Sequence, residues 1–202
     1  PGHKYIGKGN HDYFWSTATK MEAFFAAEKI NTISLLHNNA FVCEDFILTG
    51  TRGWYQDPTC ENMPENADFE KLVAREAARL KLSLDAGKKL ADENPGREML
   101  VFLHFPPLWS GLRCEPILSL LHEYGVKRCY FGHIHGNYTV PASFEEGGVR
   151  FSLIAADFLN FAPIKILMSV QPEELEAVLQ QFPVQFADYG DHFSYFQFTW
   201  KA

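Results

Sequence analysis

The chain predicts an α/β fold, on three observations. Residues 67–94 place Phe69, Leu72, Val73, Leu80, Leu84 and Ala91 at helical spacing, a long amphipathic helix. Residues 115–124 read as a second helix, and it lies between apolar runs at 99–103 and 127–131 that have strand length. A helix between two such runs is a β-α-β unit, whose strands pair in parallel. Hydrophobic residues make up 47% of the chain and charged residues 21%, enough for a substantial core over 202 residues.

The elements follow in order. Residues 4–8 read as a strand, and 17–29 as a helix with Met21, Phe24, Phe25 and Ile30 on one stripe. Strand-like runs at 32–36, 40–43 and 46–49 are separated by Asn38-Asn39 and Glu44-Asp45, which suit tight turns and predict an antiparallel meander. Residues 50–55 read as a loop, and 56–66 hold two prolines and no periodicity. Pro95-Gly96 ends the long helix. Its Glu70, Lys71, Arg75, Glu76, Arg79 and Lys81 read as a solvated mixed-charge face. Pro116 sits in the first turn of the next helix and Gly125 just past its end. Residues 138–140 and 149–154 read as strands paired around Glu145-Glu146-Gly147-Gly148. An amphipathic helix at 172–182 and an aromatic strand at 192–200 close the chain. The expected division is a main domain at 1–165 and a C-terminal extension at 166–202.

The net charge of −7 argues against a long nucleic-acid partner, because neutralising a phosphate backbone needs clustered Lys and Arg. The cysteines, Cys43, Cys60, Cys114 and Cys129, are widely spaced with no CxxC pair, so a reduced cytoplasmic setting is expected. No run of about 18 apolar residues occurs, and no membrane partner is expected.

The chemistry gathers where the strands end. Gly9-Asn10-His11-Asp12 follows the first strand, His104 follows the run at 99–103, and Gly132-His133-Ile134-His135-Gly136 follows the run at 127–131. Imidazole suits zinc or iron, and an amide oxygen suits harder ions such as manganese. His133 and His135 alternate by two and diverge on an extended strand exit, which fits adjacent metals better than one.

Gly-Asn-His-Asp, a single His after an apolar strand, and Gly-His-x-His, in that order, resemble the calcineurin-like metallophosphoesterases over residues 4–165. The resemblance implies a sandwich of two mixed β-sheets flanked by helices. It implies a hydrolase acting on a phosphate mono- or diester through a metal-activated water. Asn10, His104 and His133 correspond to ligands of one metal and His135 to a ligand of the other. His11 corresponds to the histidine that assists the leaving group, and Asp12 to the carboxylate that orients it. The family pattern also includes an upstream Asp-x-His and Gly-Asp-x-x-Asp, and neither precedes Gly9. The chain is therefore expected to be an N-terminally truncated domain with one divalent metal (Mn, Fe or Zn) or none, where the intact site holds two. Impaired activity follows, and the alternative is a non-catalytic metal- or phosphate-binding remnant.

Around these residues, Arg52 is a candidate phosphate clamp or a surface ion-pair partner. Trp15, Trp54 and Trp109 are candidate pocket rings or core. A small phosphate ester is the expected substrate. The period-two pattern at 193–200 is a candidate filler for a vacant sheet edge, within the chain or across a homodimer.

Overall fold

Parallel pairing across three crossover helices organises the described residues. The computed structural model describes residues 2–12, 17–54, 68–136 and 141–166. Contacts divide the chain into two compact units, Pro1–Lys165 and Ile166–Ala202. The second, apart from Ile166, lies outside the described residues, and with it the expected helix at 172–182 and strand at 192–200. Residues 55–67 and 138–140, Trp15 and Cys60 lie outside them too.

β1 (Lys4–Gly7) and β2 (Ile33–Leu36) pair in parallel as a two-stranded sheet, joined through α1 (Ala18–Ala27). Thr17 caps α1, its hydroxyl accepting the Lys20 amide at 3.3 Å. No residue of α1 is buried and Phe24 is 54% exposed, so the described residues do not enclose the stripe read from the sequence.

The meander expected over residues 32–49 does not form. β3 (Ala40–Cys43) and β4 (Phe46–Thr51) form an antiparallel hairpin, but β2 belongs to the other sheet. The reason lies in Asn38 and Asn39. Asn38 takes a left-handed φ of 62°. The Asn39 amide donates to the Leu35 carbonyl at 3.0 Å, and its oxygen accepts the His37 amide at 2.8 Å. Side-chain bonds of this kind replace ladder bonds and turn the chain away.

α2 (Phe69–Glu93) starts at Asp68, whose carboxylate accepts the Lys71 amide at 3.1 Å. Its buried positions, Val73, Glu76, Leu80, Ser83, Leu84 and Gly87, repeat every three or four residues. Glu76, expected on the solvated face, is instead 0% exposed, because it falls on the inward stripe between Val73 and Leu80. β5 (Glu98–Leu103) follows, then a short hairpin of β6 (Leu108–Trp109) and β7 (Leu112–Arg113). Ser110 and Gly111 turn that hairpin with φ of 50° and 85°, the backbone sense that two-residue hairpins need. α3 (Glu115–Glu123), with Pro116 in its first turn, leads to β8 (Arg128–Phe131).

β9 (Ser143–Glu146) and β10 (Val149–Leu153) complete the sheet around a Gly147-Gly148 turn. Glu145 and Glu146 are thus strand residues and not turn residues, because two glycines with φ of 59° and 76° suffice to reverse the chain. The large sheet has six strands in the order β3-β4-β5-β8-β10-β9. β4, β5, β8 and β10 run parallel, with an antiparallel strand at each edge.

The fold is therefore α/β, a mixed six-stranded sheet flanked by helices beside two smaller sheets. Val101 and Leu103 of β5, Cys129 and Phe131 of β8, and Phe151 and Leu153 of β10 alternate onto one face. There they pack with Val73, Leu80 and Leu84 of α2 and Ile117, Leu118 and Leu121 of α3. Cys43, Cys114 and Cys129 are free thiols, and burial raises the Cys114 pKa to about 11. Among the described residues no helix is long and apolar enough to cross a membrane.

α2 lies so close to the sheet that a Cβ on Gly87 would stand 2.4 Å from Thr49 Cγ2 and 2.8 Å from Met99 Sδ. Gly87→Ala should therefore cost about 1–3 kcal/mol through overpacking, despite the higher helix propensity of alanine. Urea unfolding measures it, and an unchanged or raised midpoint would contradict the close approach.

Candidate metal centre

β4, β5 and β8 end level with one another. Thr51 pairs with Leu103 and Leu103 with Phe131. The next residues continue the ladder: the His104 and Phe105 amides donate to the Arg52 carbonyl at 3.0 and 2.9 Å, and the Gly132 amide to the His104 carbonyl at 3.1 Å. Each segment then leaves the sheet at its carboxyl end, where open α/β sheets bind ligands.

His133 is turned into the site by a strained peptide. Ile134 N–H bonds to Gly132 C=O at 2.8 Å, and His133 between them has φ of 67°. This is a three-residue turn of the rarer positive-φ kind, and a side chain there costs about 1–2 kcal/mol. Strain of this sort is kept where the surroundings dictate it, commonly at functional sites.

Asn10 arrives from β1. It is buried, and the turn that carries it closes when the Gly9 amide donates to Asp12 Oδ2 at 2.7 Å. A Cβ on Gly9 would stand 2.9 Å from His104 Cε1, so this turn reaches the ring only because Gly9 has no side chain.

Three donors meet. His104 Nε2 lies 2.6 Å from Asn10 Oδ1 and 3.1 Å from His133 Nδ1. A neutral ring nitrogen carries either one proton or one lone pair, so His104 Nε2 cannot satisfy both neighbours fully. A single cation would accept all three lone pairs. Donors about 2.1 Å from one ion and at right angles lie about 3 Å apart, close to what is found. Burial, then the His133 ring, pushes the His104 pKa down to about 4. Burial, then His135 and His11, lowers that of His133 to about 4. Both rings are neutral at pH 7, the state that binds metal. Phe105, 3% exposed, backs the pair with its ring 4.3 Å from that of His133. The donor set is two imidazoles and an amide. Among the described residues no group of three or more His, Cys, Asp or Glu side chains forms a metal cluster.

The other expected residues fall elsewhere. His135 is exposed, and its Nδ1 lies 2.8 Å from Asp157 Oδ1, outside the three-donor group. Asp157 follows β10 and carried no signal in the sequence. His11 is exposed, and close enough to act electrostatically on His104 and His133. The Asp12 carboxylate takes the Gly9 amide, and that bond is to the backbone of its own turn, not to His11.

Arg52 is not a surface ion-pair residue. Its side chain is 13% exposed and bonds to buried Glu76 at 3.1 Å. Trp54 is 7% exposed, with its ring 4.7 Å from Phe105 and 5.0 Å below the Arg52 guanidinium, a core position. Trp109 is also buried, with its ring 5.7 Å from Phe131. Glu76 was the residue missed here, although its spacing from Val73 and Leu80 puts it on their stripe.

Comparison with protein-family models, curated proteins and solved structures found no match.

Since only glycine adopts the His133 backbone freely, His133→Gly should be more stable than His133→Ala by about 0.5–1 kcal/mol. Urea unfolding of the two variants measures the difference, and an alanine variant as stable as the glycine one would remove the strain argument. The lowered histidine pKa values carry a sign. The unfolded chain binds these protons from about pH 6.5 and the folded chain from about 4, so folding stability falls as pH drops through that window. With chelator present, the wild type should lose melting temperature more steeply from pH 6.5 to 4 than the His104→Gln/His133→Gln variant. Parallel curves would count against the half-buried neutral rings.

Proposed function

We propose that the chain carries the metal-ligating part of a calcineurin-like metallophosphoesterase site and hydrolyses a phosphate ester in a metal-dependent reaction. The observation that supports this most is the approach of Asn10 Oδ1 and His133 Nδ1 to His104 Nε2 at the carboxyl ends of the strands. The order of the three motifs, Gly-Asn-His-Asp, His104 and Gly-His-x-His, supports it independently.

On this reading Asn10, His104 and His133 would hold one divalent cation, Mn, Fe or Zn, which would supply Lewis acidity toward a phosphoryl oxygen and activate water. The chain's own residues do the rest. Partial burial holds His104 and His133 neutral at pH 7, and so available as ligands. His11, exposed beside them, donates a proton toward the leaving oxygen. His135, held by Asp157, is the candidate ligand of a second ion. The substrate is a small phosphate mono- or diester, and the cytoplasm is the proposed compartment.

A second reading has one observation in its favour. The three-donor group contains no carboxylate, which leaves the charge of a bound cation without offset. A binding remnant would hold metal or phosphate without turnover.

Hydrolysis of an aryl phosphate and an aryl phosphodiester with added Mn²⁺ separates the two. Weak, metal-dependent turnover is expected, abolished by chelator and lost with metal affinity in His104→Ala and His133→Ala. Metal binding without turnover supports the remnant, and turnover surviving both substitutions would defeat the proposed chemistry.

A further inference from the structure

The buried ion cluster on α2 lies outside the donor set yet holds the loop that carries it. We propose that Glu76 is a positioning residue for the metal-binding imidazole of His104, acting through Arg52. The inference rests on the metal-ligating reading above.

Glu76 projects from the inward stripe of α2 between Val73 and Leu80 and is 0% exposed. Its Oε1 receives Arg79 Nη1 at 2.6 Å and Arg52 Nη2 at 3.1 Å, with Arg75 Nε at 3.6 Å. Its Oε2 is buried with no hydrogen-bond partner among the described residues. A buried carboxylate in this setting adds little net stability, because desolvation consumes most of the Coulombic gain. What such a charge can do is fix a location.

Here the location is that of Arg52. Its side chain is tied to α2 by Glu76, while its main-chain carbonyl takes the amide protons of His104 and Phe105. One residue therefore joins the long helix to the metal-ligand loop. Gly53 follows with a left-handed φ of 70°, and Trp54 after it packs on Phe105. A shift of Arg52 moves the His104 peptide, and with it the Gly132 amide bonded to the His104 carbonyl. Metal donors need placement within about 0.5 Å, so such a shift would be felt as lost affinity. Phosphate contact is not required of Arg52 in this role.

The test uses the full chain, first with chelator and then with Mn²⁺ alone. Hydrogen exchange of the His104, Phe105 and Gly132 amides reads the loop without metal, and Mn²⁺ titration reads the donors. In Glu76→Gln these amides should exchange faster while amides of α3 and β10 keep their protection. Mn²⁺ affinity should fall about tenfold, the low end of what outer-shell partners contribute. Leu84→Ala, on the same helix and also fully buried, is the control for general destabilisation and should not single out these amides. Arg52→Lys keeps the charge but loses the planar fork; it should show the same selective loosening, and it carries the test if Glu76→Gln does not fold. Exchange at 104 and 105 no faster than in Leu84→Ala would overturn the proposal. If the wild type binds no Mn²⁺ but Glu76→Gln loosens these amides, the metal reading fails and the Glu76 clamp stands.

Discussion

The common level at which β4, β5 and β8 end is the constraint on which the rest of the site depends. In a parallel ladder the register of one pair dictates that of the next, so Thr51, Leu103 and Phe131 stand side by side. The hydrogen bonds do not stop at the strand ends. The Arg52 carbonyl holds the 104–105 peptide, and the His104 carbonyl holds Gly132. The loops that follow start from fixed points, and a side chain a residue or two further on has little freedom left to lose. Preorganisation of this kind means that ordering the ligands costs little when a ligand binds.

Two local sacrifices bring the donors together across the remaining distance. His133 accepts a left-handed backbone that its side chain disfavours, and Gly9 gives up a side chain altogether so that its turn can lie against the His104 ring. Neither improves the fold. Both are intelligible as the cost of bringing an imidazole and an amide to within hydrogen-bond distance of one ring nitrogen. The result places one half-buried ring nitrogen against two acceptor-type atoms, and a single proton or a cation must lie between them.

Much of the fold was legible because its signals are local. α2 and α3 announce themselves by periodicity, by Pro116 and by the glycines beyond their ends, and the apolar runs before His104 and His133 are strands as read. Strand exits mark Asn10, His104, His133 and His135 alike as residues that a sheet can collect, and the grouping of the first three is what the motif resemblance implies. Each departure from the sequence reading has its own cause. β2 was assigned to a meander because it is a near neighbour of β3 in sequence, yet it pairs with β1. The β6–β7 hairpin has strands of two residues, too short to show alternation. Glu76 was placed in water because it is charged, although its spacing was that of a buried position.

By itself, the sequence determined an α/β chain with its crossover helices, and three strand-end motifs carrying metal-type donors. These follow from side-chain spacing and backbone preference, which act over a few residues. Only the tertiary structure decided which strands share a sheet, that Trp54 is core and not pocket, that Arg52 is spent on Glu76, and that His135 turns to Asp157. Those outcomes depend on which groups are nearest after packing. A charge or ring finds its partner by proximity in space, and residue type and spacing do not encode that distance.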